Sequence, residues 1–215
     1  MQAIPRGEIS GDMVTLIFFI SMLLVGLLKL INAQKITEYS QLFFNFNKGS
    51  IETEAEENNS YFTGFHVILF FYYTLSYTLL LYFLIGHLDS DFKKSFFSFS
   101  SLFLGVFCYV LGRRMLEYLL SILFRSIDII RYFLVYKYSY ANASALMILP
   151  IMMIYFYGYS NEYILFISFA IILVFRTLFL ITNNKNIIRE NLFYFILYIC
   201  ALEIAPLSIL ITFIF

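Results

Sequence analysis

Six runs of mostly apolar residues dominate this chain, each close to the roughly 20 residues that a helix needs to cross a hydrocarbon core. They lie at 13–33, 62–86, 96–112, 141–158, 161–182 and 190–214. Residues 113–140 form a seventh, more polar segment. The connections are short, and no stretch is rich in Pro, Gly or Ser. The chain therefore reads as a single transmembrane domain over residues 1–215. The expected fold is an all-α integral membrane protein, a bundle of six or seven transmembrane helices with one amphipathic charged-stripe helix. No internal repeat is visible, and with it goes the inverted symmetry of many transporters.

Composition supports the same conclusion. Only 13% of the 215 residues are charged and 61% are hydrophobic, whereas a soluble domain carries about 25% charged residues. Charge this sparse cannot coat a globule in water, so lipid must solvate most of the surface. Fourteen basic and 14 acidic side chains cancel. No basic tract offers the phosphate contacts that nucleic acid requires. With 18 Tyr and no Trp, Tyr has to supply the interfacial anchors that the two residues usually share. Cys108 and Cys200 both sit in apolar runs, as small buried hydrophobes do.

The first run is read as a retained helix and not as a secretory signal. Arg6 is the only basic residue before it, Glu8 and Asp12 accompany it, and Lys29 interrupts the end of an apolar stretch longer than a signal core. The largest polar connection, 34–60, opens with a half-apolar piece suited to the membrane surface. It then carries an acidic cluster, Glu52, Glu54, Glu56 and Glu57. A solvated loop is the plain reading of that cluster, and a docking patch for a basic partner is the sharper one.

Segment 113–140 carries most of the charge. At 100° per residue, Arg114, Glu117, Ser121, Arg125, Asp128 and Arg131 share one side of a helix, with opposite charges three residues apart. Leu116, Leu119, Leu120, Leu123, Ile127, Ile130 and Phe133 fill the remainder. Such a helix can lie in the interface with its charges toward headgroups. Alternatively it can insert with the charges paired and turned inward. The interfacial arrangement is preferred.

Basic residues in short loops set orientation. With six spans, Arg6, Lys93 and Lys94 lie on one side. Lys35, Lys48, Lys185, Arg189 and the basic residues Arg113, Arg114, Arg125, Arg131 and Lys137 lie on the other. If segment 113–140 itself spans, the N-terminus changes sides. The C-terminus is expected to be non-cytoplasmic in either case.

No catalytic signature is present: the chain has no P-loop, GxGxxG, HExxH, GxSxG or CxxC. His66 and His87 are about 31 Å apart along a continuous helix, too far to share a metal. His87, Asp89 and Asp91 read as a solvated turn. No metal or other cofactor is expected. Glu203 stands out, near the centre of 190–214 and three residues before Pro206. Pro206 has no N–H, so the carbonyl of Leu202 loses its helical partner beside the carboxyl group. Intramembrane carboxylates are functional by default, although some only lock helices together. Pro150 does the same to the carbonyl of Leu146. Arg176 lies close enough to the end of its span to snorkel.

From residue 112 onward the chain resembles an uncharacterised family of small multi-pass inner-membrane proteins from the Bacteroidota. The likeness rests on Tyr198–Ile199–Cys200–Ala201–Leu202–Glu203–Ile204–Ala205–Pro206–Leu207. Leu149–Pro150 after an amphipathic segment and Glu54–Ala55–Glu56–Glu57–Asn58 before the second span support it. The resemblance implies a Gram-negative inner membrane and supplies no activity.

The expected role is a non-enzymatic integral membrane subunit of a bacterial envelope complex, such as secretion, export or motility machinery. Its partners would be membrane lipids and other envelope membrane proteins, or further copies of itself, and not nucleic acid. One alternative is a proton- or ion-coupled conduit using Glu203. Another is an enzyme on a lipid-linked substrate, for which Glu117, Asp128 and His87 are the only candidate bases.

Overall fold

The computed structural model describes residues 9–42, 64–88, 95–123, 127–158 and 162–183. All of their regular structure is helical. In order the helices are α1 (Ile9–Ile31), α2 (Ala33–Leu42), α3 (Gly64–Leu88), α4 (Phe96–Leu123), α5 (Ile127–Met153) and α6 (Glu162–Asn183). A π-helical turn, Ile154–Gly158, extends α5. Lipid offers no hydrogen bonds to backbone groups, so a chain this apolar must satisfy them within each segment, as helices do.

Four stretches are long and apolar enough to cross a membrane: Asp12–Ile31, Gly64–His87, Phe96–Leu119 and Lys137–Gly158. They coincide with the first four runs expected from sequence. The fifth run corresponds to α6, a helix of 22 residues whose described apolar part is Tyr163–Ile172. The sixth, 190–214, lies outside the described residues, together with Glu203 and Pro206. So do Glu52, Glu54, Glu56 and Glu57, and Arg125.

Local chemistry sets several helix ends. Asp12 in the first turn of α1 and Lys29 in its last turn complement the helix dipole. Asn32 accepts the backbone N–H of Lys35 on Oδ1 at 3.1 Å, capping α2 directly after α1 ends. Ser95 caps α4 in the same way, its Oγ accepting the N–H of Ser98 at 3.3 Å. Pro150 sits inside α5, and the chain widens into the π turn four residues later. Buried hydroxyls on the spans bond back to their own helices, as Ser21 does to the carbonyl of Ile17 and Thr78 to that of Thr74.

The charged segment departs from expectation. Residues 113–140 are not one helix. α4 runs on unbroken from its apolar part to Leu123, and a second helix starts at Ile127. Arg114, Glu117 and Ser121 therefore belong to α4, whereas Asp128 and Arg131 lie on the first turns of α5. The stripe is divided between two successive helices that pack on each other. The reason is energetic. α4 lengthens its own apolar run by a few turns, and the charges at its end find partners on α5.

α3 is the central helix, packed against α1, α4, α5 and α6. It is apolar on all sides, as a surrounded helix should be. Two apolar clusters stack along it. One gathers Phe18, Leu79, Tyr82, Phe83, Ile148, Met152 and Leu165. The other gathers Leu28, Tyr39, Leu69, Tyr72, Tyr140, Ala143 and Ala145, and so includes α2. Apolar burial does not drive helices together in lipid, where close approach and hydrogen bonds matter more. The middle of α5 supplies both. Ala141, Ala143, Ser144 and Ala145 are all buried, which lets α3 come close. Tyr72 then donates to the carbonyl of Ala145 at 3.2 Å, and Tyr77 and Ser144 share a bond of 2.8 Å. α4, by contrast, turns Phe97, Leu104, Met115, Leu116 and Leu119 outward.

Candidate functional site

The polar chemistry of the described helices concentrates at one end of the bundle, where α4 ends and α5 begins. Arg113 and Glu117 are one turn apart on α4. The antiparallel α5 brings Lys137 and Tyr138 across to them. Glu117 is 1% exposed, a burial that a carboxylate tolerates only when its oxygens are occupied. Its Oε1 accepts Lys137 Nζ at 2.7 Å and Arg113 Nε at 3.3 Å. Its Oε2 accepts a short bond from the hydroxyl of Tyr138. Lys137 is buried as well, with 2% of its side chain exposed. Three donors on one carboxylate tie the last turns of α4 to α5, about three turns in from its start.

Arg114, next to this knot, takes a different environment. Its guanidinium carbon lies 4.6 Å from the centre of the Phe70 ring and 4.5 Å from that of Tyr138. The guanidinium therefore lies within cation–π range of two aromatic rings. Its Nε is buried without a hydrogen-bond partner among the described residues. Arg113, Arg114 and Lys137 all lie close to the Glu117 carboxylate.

The opposite end of α3 holds a second polar contact. His87 Nε2 and the hydroxyl of Tyr155 form a short hydrogen bond. Tyr155 lies on the π turn, and its neighbour Tyr157 donates to Thr15 on α1 at 3.0 Å. Among the described residues no three His, Cys, Asp or Glu side chains are placed to hold a metal ion.

Sequence reasoning placed Arg114 and Glu117 together, and the structure keeps them in one cluster. It pairs Glu117 with Arg113 instead, at i,i+4, and turns Arg114 onto aromatic rings. Lys137 was legible as a charge in the segment but not as the partner of Glu117, and Tyr138 was not singled out. The missing signal is the break after Leu123. Once the chain folds back there, residue 117 meets residue 137, 20 positions later.

Chemically, the knot is suited to holding helices and poorly suited to taking a proton from a substrate. Glu117 accepts from Lys137, Arg113 and Tyr138, and His87 is engaged by Tyr155.

A family model described as Domain of unknown function (DUF4271) matches residues 14–214. The match takes in nearly the whole chain, which therefore belongs to this family. That agrees with the resemblance to an uncharacterised membrane family drawn from the sequence. No curated protein and no solved structure matches the chain.

Proposed function

From this membership and the buried cluster, we propose that the chain is a non-enzymatic, multi-pass subunit of a bacterial envelope complex of the secretion, export or motility type. The observation that carries the reading is the state of Glu117. The one buried carboxylate described in the bundle is occupied by Lys137, Arg113 and Tyr138, so it holds structure and is not poised as a base. Between the two ends of the bundle, the described buried polar groups are hydroxyls and the amide of Asn142. That composition fits a scaffold better than an ion path. The resemblance carried by the residues around Glu203 supports seating in a Bacteroidota inner membrane.

Orientation belongs to the same proposal. With α4 and α5 as separate spans, the six-span count applies. The charged end, with α2, is then cytoplasmic, and both termini are outside the cytoplasm. The partner surface is the outward face of α4, which carries large apolar side chains along its length.

Photo-crosslinking residues placed at Leu104 and Leu116 in the native host test the assignment. A discrete adduct with one and the same envelope membrane protein at both positions is expected. Adducts with lipid alone would overturn the subunit reading. Adducts only with a second copy of the chain would overturn it in favour of a homo-oligomeric conduit.

A further inference from the structure

We propose that the end of α5, from Pro150 to Gly158, is a hinge held shut by two tyrosine latches, an inner one on α3 and an outer one on α1. The device goes beyond the role as a subunit and does not depend on it.

The backbone supplies the hinge. Pro150 has no N–H, so the carbonyl four residues earlier loses its helical donor. The turn that follows, Ile154–Gly158, is π-helical, with i→i+5 bonds in place of i→i+4. Prolines and π turns are two of the few causes of sharp helix bending, and α5 carries both in succession. α3 beside it runs for 25 residues without either.

Side chains divide α5 at the same place. Before Pro150 the helix is clamped. Lys137 bonds Glu117 on α4, Tyr77 shares a bond with Ser144, and Tyr72 donates to the carbonyl of Ala145. Beyond Pro150, two hydroxyls reach back to the bundle, Tyr155 to His87 and Tyr157 to Thr15.

The two latches are unequal. Tyr155 is buried, with the rings of Phe83 and His87 edge-on at 5.5 and 6.1 Å. Tyr157 is 58% exposed, and Thr15 is exposed as well. Thr15 lies three residues inside the start of its span, about 4.5 Å along the axis. Water and headgroups compete for the outer bond there, whereas the inner one is shielded. The outer latch therefore releases first, and the turn pivots on Tyr155. Release takes the Tyr157 ring off Phe18 and parts α5 from α1 at this end. α6 starts at Glu162, four residues beyond Gly158, so the swing is passed to its first turn. The Glu117–Lys137 knot stays in place at the far end.

Amide hydrogen exchange read by mass spectrometry, on the full chain in a mild neutral detergent, tests the hinge. The last turns of α3, residues 81–87, lie at the same end of the bundle and serve as the reference. Residues 151–158 should exchange faster than these. Tyr157→Phe should speed exchange across 151–158 about threefold, the scale of one exposed hydrogen bond, and leave 81–87 and 137–145 unchanged. Tyr155→Phe should speed it about tenfold, at the upper end of that scale. Pro150→Ala, which gives α5 back a donor, should slow it. If a variant does not fold, the comparison of 151–158 with 81–87 in the unaltered protein still decides. Equal exchange in those two stretches would overturn the hinge. So would Tyr157→Phe and Tyr155→Phe variants that loosen the whole bundle alike. No change in Tyr157→Phe would overturn the outer latch, and a larger effect there than in Tyr155→Phe would overturn the order of release. Unslowed exchange in Pro150→Ala would overturn the part assigned to Pro150.

Discussion

Removing either member of the Glu117–Lys137 pair should expose how much the knot contributes, because the two are buried together at 2.7 Å. Glu117→Ala removes the carboxylate bound to the buried Lys137 and leaves the Tyr138 hydroxyl without that acceptor. Breaking a buried pair from one side costs about 3–5 kcal/mol. Lys137→Met should cost less, since Glu117 keeps Arg113 and Tyr138. The double variant Glu117→Gln with Lys137→Met replaces the pair by neutral groups of similar size, and such exchanges are often close to neutral. A double-mutant cycle built from Glu117→Gln and Lys137→Met should therefore show a coupling of about 1.5–3 kcal/mol, the range for hydrogen bonds to charged groups. Ordinary hydrogen bonds between membrane helices average only about 0.6 kcal/mol, so this value separates an ionic knot from a neutral one. Reversible unfolding by SDS in mixed micelles, followed by circular dichroism or tyrosine fluorescence, supplies the four free energies. Additivity within about 0.5 kcal/mol would refute the reasoning, since it would mean that Lys137 and Glu117 do not feel each other.

Three other outcomes are expected. Tyr138→Phe keeps the ring on Arg114 but loses the bond to Glu117 and should cost about 1.5–3 kcal/mol. Tyr138→Leu should cost more, because the cation then loses one of its rings, and equal losses in the same unfolding assay would remove the stacking from the account. Ala145→Leu puts a large side chain where Tyr72 meets the α5 backbone and should destabilise by about 1–3 kcal/mol, seen as a reduced monodisperse fraction on size exclusion. A reporter active only outside the cytoplasm, fused after Phe215, should give signal, and its silence would mean that a span has been misplaced.

Much of the architecture was legible because lipid imposes a simple rule on sequence. A run near 20 apolar residues has few alternatives to a helix, and the runs 13–33, 62–86 and 96–112, read on that ground alone, fall on the spans Asp12–Ile31, Gly64–His87 and Phe96–Leu119. The charged segment was harder, since helical periodicity continues smoothly through 113–140 and no Gly or Pro marks the place where α4 gives way to α5. Periodicity reports which residues share a face on an unbroken helix. It has nothing to say once the chain reverses, and for that reason Arg114 was paired with Glu117 while the contacts of Glu117 with Lys137 and Tyr138 were not foreseen. The close approach of α3 to α5 was equally hidden. Lys137–Ala145 reads as an ordinary polar start to an apolar run, and its row of small residues acquires meaning only beside Tyr72 and Tyr77. Glu203, which sequence favoured as a functional acid, lies outside the described residues, and its role rests on sequence alone.

The central position of α3 has a consequence for how the protein is made. Tyr72 and the carbonyl it binds are 73 residues apart in the chain. At a synthesis rate of about 5–20 residues per second, α3 leaves the ribosome roughly 4–15 s before the end of the α5 stretch that completes its surroundings. Arg113, Arg114 and Glu117 likewise emerge ahead of Lys137, which is 20 residues downstream of Glu117. For that interval the nascent chain holds a hydroxyl and a cluster of charges whose neighbours do not yet exist. An insertion factor that shelters α3 and α4 until α5 arrives would act in this window. A chain released from a ribosome stalled before Lys137 would already have α3 and α4 and lack the residues that close them, which makes it a ready substrate for membrane proteolysis.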